Sequence, residues 1–364
     1  MNALVIGGTG PTGPGVVRGL LDRGYEVTIY HRGLHETDAL PQVHHHLHGN
    51  ADDRGALEKD LGGTHWDLVC VMYGREGRAE DVFAGRCDRF IYISGQAGNV
   101  RPHQLPFPRG RELPVKEDYP RYGSRAEGHG YAGWVAECER RVMTHHGAGE
   151  YAATVFTYAN LYGPRTPRAA LWNITKRLLD GRRQILVSGD GSMVRPMCFT
   201  ENAAHQALLA VDRREAKGQI FNSVDQQAFF LKDIIRIIAQ ELGCEVEVVG
   251  INHPYVDRLA SSYLRSENWI WDASKLTYVL GYHDLVAPAE AVRRTVRWQV
   301  EHREEIDTPQ LRELVPDPYA YDIEDQLIAS YRAWCAEASR TIAEPPDLRR
   351  DGGERNFRSE IRPK

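Results

Sequence analysis

Residues 3–24 read ALVIGGTGPTGPGVVRGLLDRG, and this stretch decides the fold. Its first four residues form a continuous apolar run, which predicts a buried β-strand. After the glycine-rich turn, Val16, Val17, Leu20 and Leu21 repeat at the spacing of one helix face, and Gly24 stands where a helix C-cap belongs. The stretch therefore predicts a strand, a glycine-rich turn and a helix in direct succession.

More apolar runs of this kind follow along the chain, at residues 27–30, 67–72, 90–93 and 153–156. Continuously apolar strands separated by helical segments are typical of a parallel sheet that is covered on both faces. We therefore predict an α/β fold: a doubly wound Rossmann domain over residues 1–165, with returning elements at 197–243. Residues 166–196 and 244–340 are predicted to form a smaller C-terminal substrate-binding lobe, and residues 341–364 a disordered tail.

Composition excludes several classes of protein. The 364 residues carry a formal net charge of -5 and are 42% hydrophobic and 26% charged, as in ordinary globular proteins. That charge disfavours a protein that coats a polyanion, and no apolar run reaches the roughly 20 residues of a membrane-spanning helix. Six widely spaced cysteines without a CxxC pair predict a reduced, cytoplasmic protein.

The glycine-rich turn predicts a phosphate-binding loop. Gly7, Gly10 and Gly13 would let the backbone approach a pyrophosphate at the positive end of the helix, with Thr9, Pro11 and Thr12 between them. Because Pro11 has no N–H, Thr12 and Gly13 are expected to supply the donors. The GxxGxxG spacing resembles the short-chain dehydrogenase/reductase superfamily, and its position near residue 1 resembles the extended branch, the nucleotide-sugar epimerases and dehydratases.

The second strand ends in a cation where NAD-binding sites place a carboxylate. Arg32 suits the 2′-phosphate of NADP, so NADP is preferred here over NAD, although a solvated arginine at a strand end is the alternative. The resemblance further implies that Asp52 or Asp53 meets the adenine, that Met72 lines the cofactor and that Tyr158 approaches the nicotinamide.

The resemblance also implies a catalytic Ser or Thr and a Tyr-x-x-x-Lys pair, from which this chain departs. Tyr131 is followed four residues later by Val135 where Lys belongs, and Gly95 takes the usual Ser position. A phenol with a pKa near 10 is a weak base at neutral pH unless a cation lowers that pKa. Tyr131, with Ser94 and Gln96 orienting a carbonyl, is predicted to form an atypical site; the alternative is a degenerate site without turnover.

Landmarks of the extended branch continue to about residue 300, including the run Tyr162-Gly163-Pro164. The resemblance implies that Asn160 faces the substrate and that Arg195 binds a substrate phosphate, while an exposed arginine on a hairpin is the alternative for Arg195. It also implies a homodimer through the helix carrying Tyr131. The predicted activity is reduction, epimerisation or dehydration of a small-molecule substrate, a sugar nucleotide or a secondary metabolite.

Two other features of the sequence bear on further functions. Four histidines (His44, His45, His46 and His48) lie on a predicted strand, but no carboxylate or cysteine completes a ligand set nearby in the sequence, so we expect a solvated strand and no metal. The strand end and the segment after Gly49 also resemble chloroplast stem-loop-binding proteins, which are associated with RNA. The stretch 101–125 is basic, yet a loop over a phosphorylated substrate has the same composition, and nucleic acid is not the expected partner.

Overall fold

The computed structural model describes residues 1–34, 36–72, 78–101, 104–106, 112–166, 170–259, 268–314 and 317–342. The chain forms two compact units, Met1–Pro318 and Tyr319–Lys364. The division of the first unit into two lobes stays a prediction, and the predicted disordered tail lies, from residue 343 onward, outside the described residues. Within the described chain, every helix is too short or too polar to span a bilayer.

A seven-stranded parallel sheet forms the centre of the first unit, as the apolar runs predict. The strands are β1 Asn2–Ile6, β2 Glu26–His31, β3 His45–His48, β4 Trp66–Met72, β5 Cys87–Gly95, β6 Ala152–Tyr158 and β10 Gln219–Ser223. Their spatial order in the sheet is β10-β6-β5-β4-β1-β2-β3. The strand order reverses beside β1, which pairs with β2 on one side and β4 on the other. In open α/β sheets a crevice opens at the carboxyl ends of the strands at such a point.

Helices cover both faces of this sheet and extend beyond it. They are α1 Gly13–Asp22, α2 Arg54–Leu61, α3 Ala79–Val82, α4 Gly130–Gly147, α5 Trp172–Leu179, α6 Thr200–Asp212, α7 Leu231–Glu241, α8 Pro254–Leu259, α9 Ser274–Leu280, α10 Pro288–Glu301, α11 Arg303–Ile306, α12 Pro309–Leu314 and α13 Tyr321–Thr341. One core, which includes Val17 of α1 and Ala207 of α6, lies on one face of the sheet; a second, which includes Leu57 of α2 and Val142 of α4, lies on the other. The predicted two-sided burial of the sheet is confirmed.

A third hydrophobic core lies outside the main sheet. It is built from α5, α7 and α10 and from β8 Gln184–Ser188, which pairs in parallel with β11 Glu247–Ile251. A further short pair joins β7 Asn160–Tyr162 to β9 Met197–Phe199. Arg177 of α5 forms a buried ion pair with Asp317, with 2.7 Å between Nη1 and Oδ2.

The turn between β1 and α1 depends on glycine at defined positions. Gly7 and Gly8 have φ angles of +100° and +84°, which L side chains rarely adopt. At Gly13 the constraint is proximity instead, because a Cβ there would lie 2.2 Å from the carbonyl oxygen of Gly8. The first turn of α1 therefore rests directly on the backbone that follows β1.

Gly13→Ala is expected to lower the free energy of unfolding by about 1–3 kcal/mol, because the added methyl has no room against a backbone carbonyl. Urea denaturation of the two proteins measures the difference. Gly63→Ala is the matched control, since a Cβ at Gly63 meets no atom within 4 Å. Equal stability of Gly13→Ala and the wild type would contradict this account of the turn.

Candidate functional site

A cleft of about 820 Å³ opens at the carboxyl ends of β1 and β2. The whole glycine-rich turn from Gly7 to Gly13 forms one of its walls, and Met72 at the end of β4 contributes to the same wall. Tyr73 and Gly74, which follow Met72 in the sequence, lie outside the described residues. The residues predicted for the phosphate loop are therefore brought together on one accessible surface.

The donors of this loop differ from the prediction at one position. The N–H of Gly13 donates to the carbonyl of Gly10 at 3.1 Å, so it is used within the turn and does not face the cleft. Thr12 is almost fully buried, and its Oγ1 has no hydrogen-bond partner among the described residues. A Cβ on Gly10 would meet no atom within 4 Å, so the backbone at Gly10 borders open space. A buried hydroxyl without a partner and an unobstructed backbone fit a phosphate-bearing ligand.

Two charged side chains mark the end of the cleft beyond β2. Arg32 and Asp52 both line it, with 3.5 Å between Nη1 of Arg32 and Oδ2 of Asp52. Asp53 serves the fold instead, because its Oδ1 accepts a hydrogen bond from the N–H of Ala56 and caps α2. Of the two aspartates predicted to meet the adenine, Asp52 is the one that lines the cleft.

A second part of the cleft wall comes from segments of the chain that sequence reasoning did not connect with the glycine loop. Arg165, after β7, and Trp298 and His302, at the end of α10, line the cleft. The rings of Trp298 and His302 stack with centroids 4.5 Å apart. The only sequence signal for this wall is an aromatic residue and a histidine spaced four apart on an amphipathic helix, which by itself indicates nothing about a ligand.

Tyr158 lies in the hydrophobic core beneath the sheet. It is 2% exposed, and its hydroxyl donates to the carbonyl of Ala203 at 3.3 Å. The phenol is thus directed towards α6. Its predicted contact with a nicotinamide stays a prediction.

A buried polar network occupies the region predicted to be catalytic. Ser94, at the end of β5, donates a hydrogen bond to the carboxylate of Glu139, and the same carboxylate forms an ion pair with Arg121. Glu139 is 3% exposed and lies one helical turn beyond Val135, the position where the family has Lys. The cationic group here thus comes from the loop before α4, and neither Glu139 nor Arg121 was predicted from the sequence.

The other predicted catalytic side chains have different partners. Gln96 donates through Nε2 to Oδ1 of Asn160 at 2.5 Å, so one predicted orienting residue and one predicted substrate residue are in direct contact. Tyr131 lies in the first turn of α4, is 69% exposed and stacks on Trp134 with ring centroids 5.7 Å apart. Ser94, Gln96 and Tyr131 therefore each contact a separate group.

The histidine strand has a carboxylate beside it, which corrects the prediction. Glu36 lies 3.3 Å from His48 and 3.8 Å from His46, measured from Oε1 to Nε2. His31 at the end of β2 joins the same group, 3.6 Å from Glu36. The expectation that no carboxylate completes a ligand set was wrong, because the loop after β2 folds back over the edge strand β3.

Arg195 lines a second, smaller cavity of about 220 Å³. Asp225 lies in the wall of the same cavity and accepts hydrogen bonds from the hydroxyl of Tyr162 at 2.8 Å and from Nδ2 of Asn202 at 2.9 Å. Burial raises the pKa of Asp225 to about 7 despite these donors. An ionisable carboxyl thus shares a cavity with the arginine predicted to bind a substrate phosphate.

The raised pKa of Asp225 predicts a pH-dependent stability. The folded chain holds a proton on Asp225 that the unfolded chain releases near its ordinary pKa of about 3.9, so the free energy of unfolding falls as pH rises from about 4 to 7, by up to about 4 kcal/mol. Asp225→Asn, which cannot ionise, should flatten this part of the profile. Thermal melts across the range measure it, with the exposed Asp233→Asn as control. Parallel profiles for Asp225→Asn and the wild type would contradict the assignment.

Comparisons with known proteins support the predicted resemblance. Residues 86–223 match the sequence model of the NAD dependent epimerase/dehydratase family. One curated relative, the uncharacterized protein y4nL of Sinorhizobium fredii (strain NBRC 101917 / NGR234), is 26% identical over 192 residues, which are 45% of this chain and 52% of that protein. The match thus spans about half the length of this relative.

Solved structures share the fold over most of the chain. A dTDP-glucose 4,6-dehydratase from Streptomyces venezuelae, with NAD and TYD bound, has a TM-score of 0.62 at 21% identity, covering 85% of this chain and 100% of its own. A UDP-glucose 4-epimerase from Thermotoga maritima has a TM-score of 0.63 at 21% identity, covering 83% and 100%. The predicted resemblance is confirmed: residues 86–223 match the NAD dependent epimerase/dehydratase family model, and the chain has the α/β fold of these solved dehydratase and epimerase structures.

Proposed function

We propose that this protein is an NAD(P)-dependent enzyme of the epimerase/dehydratase type that acts at a carbinol or carbonyl carbon of a sugar nucleotide or a secondary metabolite. The glycine-rich wall of the 820 Å³ cleft carries this proposal, because its backbone is open at Gly10 and it buries the Thr12 hydroxyl, which has no hydrogen-bond partner in the described part of the chain. A nicotinamide dinucleotide, when bound, supplies a hydride acceptor or donor. The chain's own residues must then bind, orient and exchange protons.

Thr12 and Arg32 are the residues proposed to hold the cofactor's phosphates. The Thr12 hydroxyl lies at the N-terminus of α1, where the helix dipole favours negative charge. Arg32 offers a planar donor for a 2′-phosphate, and its present partner Asp52 is partly exposed and 3.5 Å away. NADP is therefore proposed as the preferred form. With NAD, the Asp52 carboxylate is the group suited to the ribose hydroxyls.

Proton transfer is proposed for Tyr131, with Gln96 and Ser94 orienting the substrate. The contact between Gln96 and Asn160 supports this arrangement, because it joins a predicted catalytic residue to a predicted substrate residue across two strands. Asn160 would then present its amide group with an orientation set by Gln96. Arg195, in the wall of the neighbouring cavity, is proposed to bind a substrate phosphate.

A second candidate function is a dinucleotide-binding sensor or scaffold without turnover. Val135 is buried in place of the Lys, and the carboxylate of Glu139 is already bonded to Ser94 and Arg121. Ser94 must give up this hydrogen bond before it can donate to a substrate oxygen. This network is the specific observation that favours a binding role.

Three further predictions enter the proposal. A homodimer is proposed through α4, near whose start the exposed Tyr131 stacks on the buried Trp134. The smaller lobe is proposed to close over the substrate, and the protein is proposed to work in the cytoplasm. The basic stretch 101–125, which bears on the RNA-binding alternative, lies partly outside the described residues, at 102–103 and 107–111.

Calorimetric titration with NADP⁺, NADPH, NAD⁺ and NADH tests the cofactor site. Gly10→Ala should weaken binding about 10-fold or more, because its methyl enters space that the dinucleotide needs. Arg32→Ala should weaken only the two phosphorylated forms, by about 10-fold or more. Gly63→Ala serves as control, since its Cβ also meets open space but lies in a turn outside the cleft.

Either of two results would contradict the cofactor proposal. One is the absence of binding of all four dinucleotides to protein shown to be free of copurified nucleotide. The other is equal affinity of Gly10→Ala and Gly63→Ala. Equal loss of NAD⁺ and NADP⁺ binding in Arg32→Ala would reject the NADP preference alone.

Turnover assays distinguish the enzyme from the scaffold. UDP-glucose and dTDP-glucose, which are named for two structural neighbours, serve as first probes. Tyr131→Phe should lower kcat at least about 100-fold, as expected for loss of a general acid or base, while the exposed Tyr278→Phe leaves it unchanged.

Val135→Lys, one turn from Glu139, should raise turnover if the missing cation limits the site. Undiminished turnover in Tyr131→Phe would reject its role, and dinucleotide binding without turnover in a broad substrate screen would favour the scaffold.

A further inference from the structure

We propose that His31, Glu36, His46 and His48 form a binding site for one divalent transition-metal ion of the Zn²⁺ type. One ligand atom from each of the four residues lies within 4.8 Å of all the others. This set of three imidazoles and one carboxylate suits Zn²⁺, which is typically held by four nitrogen, oxygen or sulfur ligands. The site is argued from these four side chains and does not depend on the proposed enzymatic function.

The sheet register explains why the three histidines meet. His46 and His48 are two residues apart on β3, so their side chains project from the same face. In the parallel pairing of β2 with β3, His31 lies directly opposite His48. The ring centroid of His31 lies 4.8 Å from that of His46 and 5.1 Å from that of His48. The edge of the sheet therefore holds all three imidazoles on one face.

Glu36 provides the oxygen at the centre of this arrangement. Its Oε1 lies 3.3, 3.6 and 3.8 Å from Nε2 of His48, His31 and His46. Ligands at the usual Zn–N and Zn–O distances of about 2.0–2.1 Å in a tetrahedron are separated by roughly 3.3 Å. The three distances from Glu36 are close to that separation, so an ion needs only small side-chain movements on this side.

The pair His31 and His46 must move further. Their Nε2 atoms are 2.5 Å apart, which is a hydrogen bond between two imidazoles and is shorter than the spacing of two ligands on one ion. Nδ1 of His31 also accepts from the N–H of Gly33 at 3.2 Å, which places the ring proton on Nε2. When His31 coordinates an ion through Nε2, its hydrogen bonds with His46 and Gly33 are therefore lost. The ring proton of His31 then moves from Nε2 to Nδ1.

Burial and access also suit an ion. The His31 side chain is only 7% exposed, which keeps one side of the group away from bulk water. His48 and Glu36 are 59% and 52% exposed, so an ion reaches the group from solvent. His31 and Glu36 also line the large cleft beside Arg32, which places the ion at the end of the cleft beyond β2.

The test uses the full chain without an affinity tag, freed of metal by a chelator and then dialysed against Zn²⁺. We expect one Zn²⁺ per chain by elemental analysis. His48→Ala should weaken Zn²⁺ binding at least about 100-fold, because removing a metal ligand weakens binding more than removing a group that only hydrogen-bonds to a ligand. His45→Ala is the matched control: it lies on the same strand with a similar exposure of 56%, but pairs with Glu26 instead. Circular dichroism checks that both variants fold.

Co²⁺ provides a second readout, because tetrahedral coordination gives strong visible absorption bands that octahedral hydrated Co²⁺ lacks. These bands are expected in the wild type and in His45→Ala, and should be absent in His48→Ala and Glu36→Ala. The proposal is overturned if the wild type retains no Zn²⁺, or if His45→Ala and His48→Ala weaken binding equally. Equal loss would mean that exposed histidines bind the ion without a defined site.

Discussion

The contact between the first turn of α1 and the carbonyl of Gly8 is the constraint on which the binding cleft depends. A single methyl group at Gly13 does not fit there, so helix and strand lie as close as two backbones allow. This closeness directs the N-terminus of α1 towards the carboxyl edge of the sheet, at the point where the strand order reverses. The open backbone at Gly10 and the buried hydroxyl of Thr12 both follow from that placement.

The parts of the fold that depend on local sequence pattern could be predicted. Residues 3–24 specify a strand, turn and helix because apolar periodicity and glycine placement act over a few residues, and β1 and α1 follow that pattern. The family match over residues 86–223 likewise agrees with the resemblance that the sequence motifs indicate. Contacts between distant segments could not be predicted in this way: Trp298 reaches the cleft from α10, and Glu36 reaches the histidines through a loop whose path no periodicity describes.

The region predicted to be catalytic combines a predicted loss with an unpredicted charged pair. The sequence identifies Val135 as the position without a cation, and this is a local fact. A buried carboxylate one turn later and an arginine from the preceding loop instead form a charged pair around Ser94. Such pairs need both members, because a buried charge without its partner destabilises a fold more than an apolar replacement of both does. Pairwise change of this kind is invisible when a motif is examined one position at a time.

Two segments that line the large cleft, the glycine loop and the end of α10, are far apart in the sequence of the unit Met1–Pro318. A ribosome releases the glycine loop first and the helix bearing Trp298 and His302 near the end of that unit. Because domains fold as the chain emerges, the nascent protein has the glycine-loop part of the cleft but lacks the α10 part through most of its synthesis. A ligand that bridged the two parts of the cleft would therefore bind only after both have been synthesised, and it would stabilise a contact of very long sequence separation.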